Sequence, residues 1–171
     1  MTRGTTVIEP NDVPHHQGAD YPSPYDGQCD VRRKVRLGDA GGLTQYGVNL
    51  VTLPPGSWST QRHWHSHEDE FVWIVSGDAT LVTEDGETPL KASMVATFPA
   101  GAADGHHLVN NSAGDVVYLE VGSRSSDDVC YYPDIDLHLQ PDGKGGHHFV
   151  HKDGTAYRRA KRKGRRLHDA P

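Results

Sequence analysis

The sequence predicts an all-β fold, a sandwich or barrel of short strands, on three observations. Nineteen Gly and eleven Pro among 171 residues interrupt the chain too often for a helical bundle. From Tyr46 to Gly122 the text breaks into the runs YGVNLVTL, RHWHSH, FVWIVS, ATLVTE, LKASMVATF, HHLVN and DVVYLEVG. These are rich in Val, Thr and aromatic residues and recur at about the 8–12-residue spacing of β sandwiches and barrels. Finally, no helical period is sustained before the basic C-terminal tail. A mass of 18.7 kDa and 35% hydrophobic residues suit one domain with a modest core.

Taken in order, residues 1–45 carry Pro10, Pro14, Pro22 and Pro24 and a Gly-Gly pair at 41–42. That punctuation precludes a long helix and predicts an extended arm with one strand through Val31–Leu37. The runs of residues 46–122 are separated by PPG, GD, EDGE, PAG and SAGD, each a turn signal. Beyond Gly122 the chain loosens into a long wrap with one or two short strands, completing a unit of residues 46–157. The last segment, 158–171, holds seven Lys/Arg and one Asp, a net +6. The body before it has 10 basic and 22 acidic residues, a net −12. An acidic body makes nucleic acid an unlikely partner, and the tail reads as a solvated terminus.

Several function classes fall away on composition. No run of about 18 apolar residues exists, so a helical membrane span is excluded. The start, MTRGTTVIEPNDVPHH, lacks the apolar core of a secretory signal, and a cytoplasmic location is expected. Cys29 and Cys130 form no CxxC motif and read as reduced structural thiols.

The chemistry is concentrated in histidine. Twelve are present, three of them at 63, 65 and 67. On a strand, alternate side chains share a face, which would place Gln61, His63, His65 and His67 together. Glu70 follows, and His106-His107 arrive a few strands later. Imidazoles and a carboxylate converging from neighbouring strands supply three or four ligands for one divalent transition metal, with Fe, Mn, Zn and Ni all compatible.

The stretch GSWSTQRHWHSHEDEFVWIVSG resembles the first motif of the cupin family, G(X)5HXH(X)3-4E(X)6G. Gly56, His63, His65, Glu70 and Gly77 match, with six residues rather than five after the first glycine. The stretch from Ser93 resembles the second motif, G(X)5PXG(X)2H(X)3N, through Pro99, Gly101, His106 and Asn110. Ser93 stands where the motif has glycine, and four residues rather than two separate Gly101 from His106. His107 with Asn111 is a rival register. The resemblance implies a double-stranded β-helix, the jelly-roll cupin barrel, with an N-terminal arm packed on the barrel or on a partner subunit. It implies that His63, His65, Glu70 and His106 bind one metal in the barrel mouth, and that the chain forms a homodimer.

Such a site, with open positions on the ion, suits a mononuclear metalloenzyme acting on a small oxygen-rich or aromatic molecule. Dioxygenase chemistry is the first expectation. An isomerase or lyase using the ion as Lewis acid, or a sensing cupin that binds a small ligand without turnover, are the alternatives. Gln61, His67 and Tyr118 are the candidate catalytic side chains. Trp64 falls on the face opposite the ligands and is expected to pack. Either Phe71, Trp73 and Val75 or Val72 and Ile74 line the barrel. His147, His148 and His151 would form a second site only if the loop around them were ordered.

Overall fold

The computed structural model describes residues 7–157 and the strand pair 166–167; the rest of the basic tail lies outside the described residues. The strands are β1 (His15–Gln17), β2 (Arg33–Arg36), β3 (Tyr46–Leu53), β4 (Trp64–His65), β5 (Glu70–Ser76), β6 (Asp78–Thr83) and β7 (Gly86–Lys91). They continue as β8 (Val95–Phe98), β9 (His107–Val109), β10 (Val116–Ser123), β11 (Cys130–Tyr132), β12 (Leu137–Pro141), β13 (His147–Val150) and β14 (Arg166–Leu167). The only α-helical segment among the described residues is one turn, α1 (Leu37–Ala40).

The strands form a seven-stranded sheet, β14-β1-β2-β3-β10-β5-β8, a four-stranded sheet, β13-β12-β11-β4, and a three-stranded sheet, β7-β6-β9. Among the described residues every strand pairing is antiparallel. This is the double-stranded β-helix of the jelly roll. Its core lies between the large and the three-stranded sheets, where Val51, Leu53, Val72, Ile74, Val116 and Tyr118 meet Ala79, Leu90 and Leu108. Period-2 alternation decides which half of β5 is inside. Val72 and Ile74 are buried, whereas Phe71, Trp73 and Val75 are 37%, 43% and 44% exposed on the outer face.

The arm adds β1 and β2 to the edge of the large sheet, β2 pairing with β3 through Val35↔Leu50. Its Tyr21 and Cys29 pack with Cys130, Tyr132 and Leu137 in a second apolar cluster. The two cysteines are free and buried; burial raises both thiols, Cys29 to about 11. No described helix is long and apolar enough to cross a membrane.

Two motif positions have a conformational explanation. Gly77 turns the chain between β5 and β6 at φ +83°, and a Cβ there would lie 2.6 Å from the Asp115 carbonyl oxygen. Ser93, the residue replacing a motif glycine, takes φ +74°, a left-handed conformation that costs an L-residue about 1–2 kcal/mol.

Candidate metal centre

The site is assembled by backbone pairing between segments more than forty residues apart. Trp58 bridges Val109, and His63 bridges His106. The His63 N–H donates to the His106 carbonyl (3.1 Å) and the His106 N–H returns the bond to His63 (2.8 Å). Directly paired residues of an antiparallel ladder share a face, so these two imidazoles sit together, ring centres 4.9 Å apart. His65 follows two residues later on the same side, 5.0 Å from the His63 ring. Glu70, the first inward-facing residue of β5, completes the group. Its Oε2 lies 2.8 Å from His106 Nε2 and 3.7 Å from the Nε2 atoms of both His63 and His65.

The far sides of the His63 and His65 rings are held by hydrogen bonds. His63 Nδ1 lies 3.0 Å from the Gln61 carbonyl, and His65 Nδ1 lies 2.7 Å from Asp128 Oδ2. A donor at Nδ1 leaves the Nε2 lone pair free to face Glu70, the tautomer being assigned from these bonds. Phe98 stacks flat on His106 at 3.5 Å between ring centres, while His106 Nδ1 is buried without a partner.

Burial pushes the His63 imidazole down to about 3, so it is neutral at physiological pH, as a ligand must be. For Glu70, burial acts upward but the hydrogen bond from His106 prevails and holds the carboxyl well below its usual range. Burial works against protonation of His65, yet its bond to Asp128 raises it. Asp128 is lowered in turn: burial opposes ionisation and the His65 bond outweighs it.

The donor set fits an ion. His63, Glu70 and His106 offer ligand atoms all within 4.8 Å of one another, and His65 extends the ring. Three imidazole nitrogens with one carboxylate form a site for a single divalent transition metal. His107 is turned elsewhere: its Nδ1 lies 3.0 Å from the Thr60 carbonyl and its ring packs on Trp58. Of the two histidines left open by the sequence, His106 is the one at the site.

The three candidate catalytic residues are dispersed. Gln61 is buried, but its amide donates to the Tyr25 carbonyl at 2.7 Å, so its side chain points toward the arm and not, as parity suggested, into the site. His67 is exposed at the rim, paired with Ser66 Oγ at 2.8 Å. The physical reason is that only Trp64–His65 is regular strand; the chain is irregular before His63 and bends after His65, so alternation does not extend to positions 61 and 67. Tyr118 is fully buried, with no partner for its hydroxyl, and faces a recess of about 30 Å³ beside His63, Glu70 and His106, a volume suited to about one water.

A larger cavity of about 450 Å³ opens on the other side of Glu70, His65 and His106. Trp64, Leu81, Leu90 and Phe98 give it apolar walls, and Glu68 and Asp104 add carboxylates. Trp64 packs as expected, stacked on Tyr131 at 4.4 Å, but lines the cavity beside the ligands and does not stand wholly on the opposite face. Sequence reasoning missed Asp128 and Glu68. Asp128 lies 63 positions from the histidine it holds, where no local pattern marks it; Glu68 was visible only as one acid of an HEDE run. His151 pairs with Asp136 (2.8 Å) and stacks on Tyr157, and among the described residues no metal-type cluster includes His147, His148 or His151.

The fold and the ligand geometry define a cupin. The chain belongs to the cupin family: the family model for the cupin domain matches residues 49–122, and a cupin-superfamily structure is similar along nearly the whole chain. That structure, a sugar phosphate isomerase from Silicibacter pomeroyi, shares 39% identity with a TM-score of 0.84, covering 89% of this chain and 96% of its own. A candidate sugar phosphate isomerase from Acidithiobacillus ferrooxidans shares 32% identity and a TM-score of 0.67, covering 76% of this chain and 82% of its own. A candidate oxalate decarboxylase from Thermotoga maritima, at 21% identity and a TM-score of 0.56, covers 70% of this chain and 100% of its own and shares the fold. No curated protein sequence is similar enough to match.

Proposed function

We propose that this cupin is a metal-dependent isomerase acting on a small hydroxy-carbonyl compound, with His63, His65, Glu70 and His106 holding the ion. The observation that carries it is the convergence of three imidazole Nε2 faces on Glu70 at the wall of a cavity of about 450 Å³. The two sugar phosphate isomerase structures favour isomerisation over the dioxygenase reading expected first. A divalent ion bound here supplies Lewis-acid polarisation of adjacent oxygens. The chain itself supplies the proton carrier. Glu68 lines the cavity and accepts a bond from the Ser125 N–H at 2.8 Å. Burial raises its carboxyl, the direction that suits a general base working near neutral pH. The apolar walls position the substrate and exclude water.

The test is interconversion of aldose and ketose pairs, followed by NMR on metal-loaded protein. Glu68→Gln is expected to lower kcat by about 10²–10⁴-fold with metal content unchanged, whereas His65→Ala and Glu70→Ala lose the metal. Oxygen uptake with a diketone or catechol and no isomer exchange would replace this reading with the dioxygenase one. The exposed outer face of β5 carrying Phe71, Trp73 and Val75 supports a homodimer through that sheet; Trp73→Lys is expected to give a monomer by light scattering.

A further inference from the structure

We infer that the cavity takes an unphosphorylated, uncharged polyhydroxylated carbonyl compound, a free sugar rather than a sugar phosphate. The inference rests on the isomerase reading and narrows its substrate. It follows from the charges on the cavity wall. The ionisable groups that line it are His65, Glu68, Glu70, Asp104 and His106; among the described residues no Lys or Arg does. Sites that bind phosphate esters use Arg, Lys or a fan of helix N-terminal amides, and among the described residues neither the α-helical turn Leu37–Ala40 nor the 3-10 turns Pro10–Asp12 and Gly27–Cys29 line the cavity.

Nearby cations are already committed. Arg62, next to the rim, donates through Nε and Nη2 to the two oxygens of Asp134 at 2.7 Å each. Its Nη1 donates to Glu84 at 2.7 Å and to the Gly105 carbonyl at 3.2 Å. Lys34, deeper in the barrel, is held by Glu120 at 2.9 Å, and Arg32 donates to the carbonyls of Gly18 and Ser59. A hydroxy-carbonyl group directed at the ligand cluster and Glu68 leaves the rest of a substrate among Asp104 and apolar walls. A terminal phosphate dianion there would meet like charge with nothing to neutralise it.

The same wall suits a neutral sugar. Carboxylates accept hydrogen bonds from hydroxyls, and Thr83, Thr88 and Thr97 line the cavity with groups that both donate and accept. Trp64 and Phe98 offer flat apolar faces to the C–H side of a sugar.

The experiment is titration calorimetry on the full chain loaded with Mn²⁺, using free pentoses and hexoses, the terminal phosphate ester of each, and inorganic phosphate. At least one free sugar is expected to bind about 10-fold or more tightly than its own ester. Thr88→Lys, a substitution at an exposed wall position, is expected to close that gap by improving the ester. The preference is expected to survive replacement of the seven tail cations of residues 158–166 by Gln. An ester that binds as well as or better than its parent sugar, or no free sugar binding at all, overturns the inference. The outcomes separate the two readings. A free sugar that binds without being isomerised removes the isomerase reading and leaves this one standing; an ester that alone binds and is isomerised does the reverse.

Discussion

Asp128 offers the sharpest test of how the centre is held. Both carboxylate oxygens are used: Oδ2 accepts from His65 Nδ1 at 2.7 Å, and Oδ1 accepts from the His67 N–H at 2.9 Å and from Ser66 Oγ at 3.3 Å. Asp128→Asn keeps the shape but supplies one acceptor oxygen where donors face both. If the amide nitrogen faces His65, the imidazole must move its proton to Nε2, and the lone pair needed by an ion is lost. If it faces His67, the turn leading to Glu70 loses its anchor. Losing a carboxylate that orients a ligating histidine costs about 10–100-fold in metal affinity, or ~1.4–2.7 kcal/mol. The assay is competition with a chromophoric chelator for Mn²⁺ or Zn²⁺, with the unfolding midpoint of metal-free protein measured alongside. Asp134→Asn is the control: it breaks the exposed pair with Arg62 and is expected to leave affinity within about twofold. An Asp128→Asn protein that folds normally and binds metal like the wild type would refute the reasoning.

Four further outcomes are expected. Ser93→Gly should stabilise the protein by ~1 kcal/mol by relieving its positive φ, and Gly77→Ala should destabilise it by at least that much, since its Cβ meets the Asp115 carbonyl; denaturant melts check both. Lys34 and Asn49 each bond Glu120 at 2.9 Å. Burial acts to raise the Glu120 carboxyl, but Lys34 holds it below its ordinary value. Its contribution to stability is therefore complete above about pH 4.3 and is lost as pH falls through the lowered folded value, a loss that Glu120→Gln should remove from the pH–stability curve. Cys29 and Cys130 should resist a thiol reagent in the native state and react only on unfolding, because burial raises both thiols and covers them.

The parts of this molecule that were legible in the sequence are those written in local pattern. Alternation and turn residues delineate β3, β5, β6 and β10, and two spaced motifs bring His63, His65, Glu70 and His106 into one reading. Alternation carries no information where a strand stops, which is why Gln61 and His67 were placed in phase with the ligands when the regular strand spans only Trp64–His65. The inside of β5 was ambiguous because both of its faces are apolar; the neighbouring β10 and β8 decide it. Asp128 was invisible for a different reason: its role comes from the pairing of β11 with β4, which sets Cys130 opposite His65, a contact with no signature in either segment.

The arm touches the ligand-bearing segment at four points. Trp58 N–H reaches the Gln28 carbonyl at 3.0 Å, Gln61 N–H reaches the Tyr21 hydroxyl at 3.3 Å, the Gln61 amide reaches Tyr25, and Arg32 reaches Ser59. Residues 58–63 are thus splinted from outside by a stretch of chain that contributes no ligand at all. Retention of the ion becomes partly a property of the N-terminus. A nick between residues 21 and 32, or a fusion that levers the arm away, is expected to show itself as metal leakage well before the barrel begins to melt.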